Sequence, residues 1–312
     1  MSRLPTVPEQ PIIRPPSEAA SVLVRATRGC GWNRCRFCGI YPSFGEPGHS
    51  FRSAKEVCRD VRALAAEWPG AESVFIGDAD PPAMPLADFE AILREIHAAF
   101  PKAERVTAYA RASTLWRLRP EGLARLAAAG LTRVHVGLES GDFATLRLMR
   151  KGYSPRILVE SGRWTKAAGL ELSWYVLLGL GGLDRWREHA DGTAAVVNAV
   201  DPHFIRLRRL WIYGGDDPES PAGMPESPLW ALVRAGRFRP QTPEGTVHEL
   251  RRFLERLEGV SSELASDHGN NYVRVAGRLM ADRDGMIEEI DRFLAWPVEK
   301  RQRRYRLAGS QL

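Results

Sequence analysis

From residue 21 to residue 209, short runs rich in β-branched residues alternate with longer stretches whose apolar positions recur at helical spacing. That rhythm is the signature of repeated βα units around a parallel sheet. Six strands are predicted, over 21–25, 73–76, 105–110, 133–137, 171–178 and 203–208. The punctuation between them agrees. Ser53 and Glu56 have the spacing of a capping box, Pro120 and Pro155 suit first helical turns, and Gly130, Gly152 and Gly169 suit helix ends.

Neighbouring side chains on a strand point to opposite faces. In the fourth strand Val134, Val136 and Leu138 therefore share one face, and His135, Gly137 and Glu139 the other. In the sixth, Ile205 and Leu207 oppose Arg206 and Arg208. Helices on one face and polar groups on the other predict an α/β fold, a partial (β/α)6 TIM-like barrel around a polar cavity. Functional groups in such barrels gather at the carboxyl ends of the strands. Beyond residue 213 comes a Gly-, Pro- and Asp-rich loop over 214–228. Helices are predicted over 243–257, with Val247, Leu250, Leu254 and Leu257 at core spacing, and around 286–294, with a polar loop at 267–271 between them. The organisation expected is an N-terminal extension (1–20), a barrel (21–213), a helical C-terminal extension capping it (214–298) and a basic tail (299–312).

Composition narrows the setting. Four cysteines in 312 residues are too few and too clustered for a disulfide framework, which points to a reducing, cytoplasmic location. The first 20 residues, rich in proline and charge, do not read as a leader. The longest apolar stretch, 174–183, is too short to cross a bilayer, so no membrane partner is expected. A net charge of +6 is mild, and its sharpest contribution is the run from Lys300 to Arg306. Such a run is expected to be a solvated, disordered end, and nucleic acid is not favoured as a partner.

The candidate chemistry is concentrated in one loop. Cys30, Cys35 and Cys38 follow the first strand in the run Cys-Gly-Trp-Asn-Arg-Cys-Arg-Phe-Cys. Thiolates suit soft iron, and three of them can hold three corners of a cubane cluster while leaving one iron for a ligand. The same three cysteines with His49 could instead form a structural zinc site, although no second Cys-x2-Cys pair lies downstream. Cys58 shares an apolar helical face with Ala54, Val57, Val61, Ala65 and Trp68, and is expected to be a core residue. Trp32 has two readings, a cover for the metal group or an anchor for the loop.

The cysteine loop, with Phe37 directly before the last cysteine, resembles that of radical S-adenosylmethionine (radical SAM) enzymes. Their usual pattern is CxxxCxxC; the first gap here is four residues, as in a bacterial subgroup with a single cluster. The resemblance implies a [4Fe-4S] cluster on Cys30, Cys35 and Cys38, and S-adenosylmethionine (SAM) as second cofactor. It assigns Gly77-Asp78-Ala79-Asp80 to the glycine-rich turn that meets the methionine amino group, with the family's usual Gly-Gly-Glu replaced. Glu139, in Gly137-Leu-Glu-Ser-Gly141, takes a polar contact to the nucleoside or methionine part, and Lys151 lies near the methionine carboxylate. Phe37 lies against the adenine, as do the backbone groups of Gly179 and Gly181.

On this resemblance the chain is expected to cleave SAM reductively to a 5′-deoxyadenosyl radical that abstracts hydrogen from a small molecule or peptide. An external electron donor such as flavodoxin or ferredoxin is implied. The alternative is a non-enzymatic metal-binding protein with a structural zinc or a redox-sensing iron-sulfur site. Substrate-side candidates are Arg206 and Arg208, which either fork onto a substrate carboxylate or phosphate or pair internally with Glu139 or a similar acid. Asp267 and His268 either belong to a capping loop or act in acid-base chemistry.

Overall fold

The computed structural model describes residues 13–43, 49–212 and 226–309. Its strands are β1 (Val22–Arg25), β2 (Thr27–Arg28), β3 (Ser50–Phe51), β4 (Ser73–Gly77), β5 (Arg105–Ala110), β6 (Arg133–Glu139), β7 (Glu171–Leu178), β8 (Phe204–Arg209), β9 (Glu263–Ala265) and β10 (Ala276–Arg278). The helices are α1 (Ile40–Ser43), α2 (Ala54–Glu67), α3 (Leu86–Ala99), α4 (Ala112–Ala128), α5 (Phe143–Leu148), α6 (Pro155–Ala167), α7 (Gly182–Val200), α8 (Pro228–Arg234), α9 (Pro243–Glu255), α10 (Leu279–Leu294) and α11 (Val298–Gly309). The six predicted strands are all present. They lie side by side and parallel in the order β1-β4-β5-β6-β7-β8, and the sheet continues through β9, parallel, to β10, antiparallel.

The helix signals act as their chemistry dictates. Ser53 and Glu56 form the reciprocal capping box at the start of α2. Pro155 occupies the first turn of α6. Pro120 restarts α4 after a break at Arg119. Gly130 and Gly169 turn the chain out of α4 and α6 with φ of +103° and +80°, a region costly to residues with a Cβ.

Alternation along the strands sorts the core into two compartments. Val24, Val74, Ile76, Val106, Ala108, Val134, Val136, Leu172, Trp174, Val176, Ile205 and Leu207 belong to the apolar layer beneath the helices. The opposite face lines the lumen, where Phe75, Tyr109, His135 and Tyr175 form an aromatic layer with centroids 5.0 to 6.1 Å apart. The amino-terminal end is plugged by Glu18, fully buried, whose carboxylate lies 2.9 Å from His135 Nε2, accepts from Ser21 Oγ at 2.6 Å and pairs with Arg105 at 3.6 Å. The polar cavity is thus filled at its closed end.

Three expectations need correction. Trp68 is not on the buried face of α2; it caps the helix and is 56% exposed. Beyond residue 226 the chain is not helices alone, because β9 and β10 add to the sheet edge and α8 precedes α9. Strands of three residues are too short to show an alternation. The basic run is not a disordered end. It forms α11, where Tyr305 and Ala308 are buried, Tyr305 packs edge-on to Tyr272 and Phe293, and Arg301 donates to the carbonyls of Leu294 and Trp296. Two buried residues and one arginine satisfying helix-end carbonyls dock a segment whose composition suggests solvation. Arg206 and Arg208 lie beside acids other than Glu139, Glu263 at 3.3 Å and Asp267 at 3.8 Å, because β9 lies next to β8. The loop predicted over 214–228 lies outside the described residues as far as residue 225.

Candidate active site at the barrel mouth

The cysteine loop is stitched to the strand ends on two sides. Towards β4, Ala26 N donates to Gly77 O at 2.8 Å, Thr27 Oγ1 to Asp78 O, and Ala79 N to Gly29 O at 3.2 Å. Towards the α5–α6 connection, Trp32 Nε1 donates to Arg150 O at 2.7 Å, Arg36 N to Met149 O at 3.0 Å, and Arg36 Nη1 to Leu148 O at 2.7 Å. Trp32 therefore anchors the loop, its ring packed where a Cβ on Gly152 would come within 2.6 Å. The C-terminal extension closes over the same loop. Leu229 N and Ser227 Oγ both donate to Arg36 O, at 2.9 and 3.0 Å.

Around the loop the remaining mouth residues converge. Glu139 sits in a β-bulge at the end of β6 with φ of +62° and accepts from Lys151 Nζ at 2.8 Å. Lys151 lies over the Phe37 ring at 5.5 Å and over Tyr153 at 5.7 Å, and Tyr153 Oη donates to Gly137 O. A Cβ on Gly137 would fall 2.1 Å from Glu139 Oε1, so only glycine leaves room for the pair. Burial alone would lower the Lys151 ammonium, but Glu139, Tyr153 and Cys35 hold it well above the ordinary lysine range. Phe37 joins Met149, Leu180, Leu229, Leu232 and Phe238 in a small apolar cluster, which brings the Gly179–Gly182 turn to the same rim.

The three loop thiols are unbridged and half-buried. Burial pushes Cys38 up to about 11, with Cys35 and Cys30 adding to the rise, and raises Cys35. Clustered thiols whose protons are held by burial and mutual repulsion suit a cationic soft-metal group, which takes the place of those protons. Among the described residues no three His, Cys, Asp or Glu side chains converge on one metal ion. A cubane sets each thiolate on its own iron and does not need such convergence. His49 packs its ring over Gly31 and edge-on to Phe51 at 4.7 Å, and burial lowers it. Cys58 lies apart on α2, its Sγ 4.0 Å from Ala91 O on α3.

Other predicted site residues have structural partners. Asp80 is buried and accepts from Thr114 Oγ1 at 2.6 Å and Arg111 N at 3.0 Å; burial raises it to about 6. Its carboxylate thus ties the β4 turn to the start of α4. Asp78 forms a buried pair with Arg25 at 3.6 Å. Gly179 N donates to Glu249 Oε1 at 2.7 Å, so this amide is occupied. A Cβ on Gly181 would meet Arg185 O at 2.7 Å, so close packing of α7 requires glycine there. Arg208 lies in the lumen 5.5 Å from the Tyr175 ring. Asp267 is exposed, and His268 Nδ1 lies 2.6 Å from Asn270 Oδ1 in a loop whose Asn271 donates to Leu207 O at 2.9 Å.

Sequence reasoning did not anticipate Glu249, His189 and Ser140 as a unit. All three are buried, with Ser140 Oγ 2.7 Å from His189 Nδ1 and His189 Nε2 3.3 Å from Glu249 Oε1. They join the turns after β6 and β7 through α7 and α9. The available signal was Glu249 in register with Thr246 and Phe253 on the buried stripe of α9.

A parallel, incomplete α/β barrel with three unbridged thiols on the loop after its first strand defines a class of protein that carries its chemistry at the barrel mouth. Residues 24–191 match the family model of the Radical SAM superfamily. The chain belongs to that superfamily, whose members use a [4Fe-4S] cluster and SAM. Among solved structures it is similar to the radical SAM methyltransferase TsrM from Kitasatospora setae, solved with cobalamin and a [4Fe-4S] cluster bound. There the identity is 18%, 87% of this chain and 60% of that chain are covered, and the TM-score is 0.54. It is similar to the archaeal Elp3 of Methanocaldococcus infernus at 13% identity, covering 91% and 63% with TM-score 0.51. It is also similar to coproporphyrinogen III oxidase (HemN) from Escherichia coli at 14%, covering 75% and 51% with TM-score 0.54. These likenesses concern the fold. The chain spans between about half and two thirds of the length of these structures. No curated protein sequence matches it. No helix among the described residues is long and apolar enough to cross a membrane.

Proposed function

We propose that Cys30, Cys35 and Cys38 hold a [4Fe-4S] cluster whose fourth iron takes the amino and carboxylate groups of SAM, and that the substrate is a small molecule or peptide. When bound, the cluster would supply one electron to the sulfonium of SAM, breaking the carbon-sulfur bond to leave methionine and a 5′-deoxyadenosyl radical that takes hydrogen from the substrate. The observation that carries this reading is the meeting of the three thiols with Lys151, Glu139 and Phe37 at one mouth.

In this reading the protein's own groups bind and exclude water. The Lys151 ammonium, aligned by Glu139, faces the methionine carboxylate. The Gly77 turn offers backbone groups to the methionine amine, Asp78 is set by Arg25, and Asp80 holds that turn through α4. Phe37 and the Gly179–Gly181 turn receive the adenine, the turn acting as a shape held by Glu249 at Gly179 N and by Arg185 N at Gly181 O. Arg208, half-buried beside Tyr175 and 3.8 Å from Asp267, is the better placed of the two lumen arginines to meet an anionic substrate group, since Arg206 donates a hydrogen bond to Glu263 beside Phe204. Asp267 and His268 edge the loop over β8 and enter as its capping residues. Among the described residues the segment 226–298 closes over the cysteine loop through Ser227 and Leu229, and Glu18 and the helix α11 brace the barrel from outside its mouth.

The test is anaerobic reconstitution followed by iron and sulfide analysis, then addition of SAM and dithionite. About four irons and four sulfides per chain with release of methionine and 5′-deoxyadenosine are expected for a single cubane. One zinc per chain without iron, or a full cluster that leaves SAM intact, would overturn the reading.

A further inference from the structure

The barrel lumen holds a cation that its neighbours compensate only weakly. Arg208 comes from β8 in register with Leu177 of β7, nearer the mouth than the Tyr175 and Arg206 pair. Its Nη1 is buried and donates to no acceptor. Asp267 lies 3.8 Å from that atom and faces solvent, its side chain 51% exposed against 19% for Arg208. Glu139 and Glu263 are engaged, by Lys151 at 2.8 Å and by Arg206 at 3.3 Å. Burial holds the Arg208 guanidinium below the ordinary arginine value. A guanidinium withdrawn from water without a close partner is costly, so the position suits an anion that arrives with a ligand.

Tyr175 supplies a second donor at the same place. Its ring lies 5.5 Å from the Arg208 guanidinium, and its Oη is buried with no hydrogen-bond partner. Burial pushes the phenol up to about 12, so it stays a neutral donor. The Glu139 and Lys151 pair lies over Gly137, the neighbour of Tyr175 on β6, while Arg208 comes from β8 on the other side. Tyr175 therefore stands between the lysine that would meet SAM and the unmatched arginine. Beneath it the aromatic layer and the Glu18 plug close the lumen, so a ligand reaches this pair from the mouth. The hydroxyls of Thr107 and Ser173, deeper in the lumen, also lack partners. A neutral hydroxyl is satisfied by water, whereas a buried guanidinium calls for charge.

We propose that Arg208 and Tyr175 together form a carboxylate-binding subsite, and that the substrate is a carboxylic acid that enters the lumen carboxylate first. The inference rests on the reading above and narrows its substrate to a class. A carboxylate brings a single negative charge and a pair of acceptor oxygens, which match one guanidinium and one hydroxyl. A phosphate monoester brings about two charges and three strong acceptor oxygens. It would leave charge unmatched and an oxygen against the aromatic layer. Tyr175 is thus a specificity-determining residue, because without its hydroxyl one carboxylate oxygen loses its donor.

Hexanoate, hexanamide and hexyl phosphate share a chain and differ in the head group. Calorimetric titration of each into the anaerobically reconstituted protein with SAM reads the subsite. Hexanoate should bind about tenfold or more tightly than either analogue. Arg208→Gln should abolish that preference. Tyr175→Phe, which keeps the ring, should weaken hexanoate by about fivefold or more. Arg206→Gln should leave the preference in place. Equal affinity for acid and amide overturns the proposal, as do tighter binding of hexyl phosphate, no binding of hexanoate, and a preference that survives Arg208→Gln. Should Arg208→Gln fail to fold, Tyr175→Phe decides, and an unaltered hexanoate affinity there refutes the subsite. SAM cleavage under dithionite is followed on the same samples. Preference for hexanoate in a protein that holds a full cluster yet leaves SAM intact would refute the cluster reading and support the subsite. SAM cleavage without that preference would refute the subsite alone.

Discussion

Glu249 Oε1 on α9 lies 2.7 Å from the backbone nitrogen of Gly179 at the end of β7. The same oxygen lies 3.3 Å from His189 Nε2, so one buried carboxylate fixes the strand-end turn and the helix that follows it. Glu249→Ala leaves a buried amide and an imidazole without their acceptor, which costs about 2 to 4 kcal/mol of stability. Glu249→Gln keeps an acceptor for Gly179 and should lose less. Thermal or urea unfolding of the two variants checks the order. An alanine variant as stable as the unaltered protein would show that the turn does not depend on this contact.

Cys35→Ala should abolish the iron chromophore and all cleavage of SAM, whereas Cys58→Ala should keep both. The reason is placement, with Cys35 at the mouth under the influence of Lys151 and Cys58 between α2 and α3. Iron analysis and visible absorbance after anaerobic reconstitution measure it. Loss of iron in the Cys58 variant would contradict the assignment.

Lys151→Gln removes the ammonium that Glu139 aligns beside Phe37. Losing a charge-assisted contact should weaken SAM binding by about tenfold or more. The cluster absorbance should persist. Calorimetric titration of SAM into the reconstituted variant reads the change, and an unaltered affinity would place the methionine carboxylate elsewhere.

Asp80 gives a pH signature. Burial raises its folded-state value to about 6 from the ordinary 3.8, so the native state binds the proton more tightly than the unfolded chain does. Its contribution is fully present below the unfolded value and is lost as pH rises through the folded one, a fall of about 3 kcal/mol between roughly pH 4 and 6. Asp80→Asn should flatten that part of the stability profile. Urea unfolding at half-unit pH steps tests it, and a parallel fall in both proteins would assign the slope to another group.

The barrel was legible because its signals are local and repeated. Apolar-polar alternation in β5 and β7, the capping box at Ser53 and the glycines ending α4 and α6 each depend on a few neighbouring residues. The cysteine loop was legible for the same reason. What escaped was non-local. Nothing near Arg206 in the chain points to Glu263, 57 residues away, and nothing near Gly179 points to Glu249, 70 residues away. Tyr305 and Ala308 are too few to mark α11 as amphipathic, and their burial depends on Tyr272 and Phe293 lying opposite.

By itself the sequence determined the βα rhythm, the inward and outward faces of each strand, and the three thiols on the first loop, because periodicity and spacing are properties of adjacent residues. Tertiary structure alone decided which charges meet. It set Lys151 against Glu139, and committed Asp80 to α4 and Gly179 to Glu249. The Coulomb and hydrogen-bond energies that separate a working site from a structural brace depend on distances of a few ångströms between residues far apart in the chain, and only folding sets those distances.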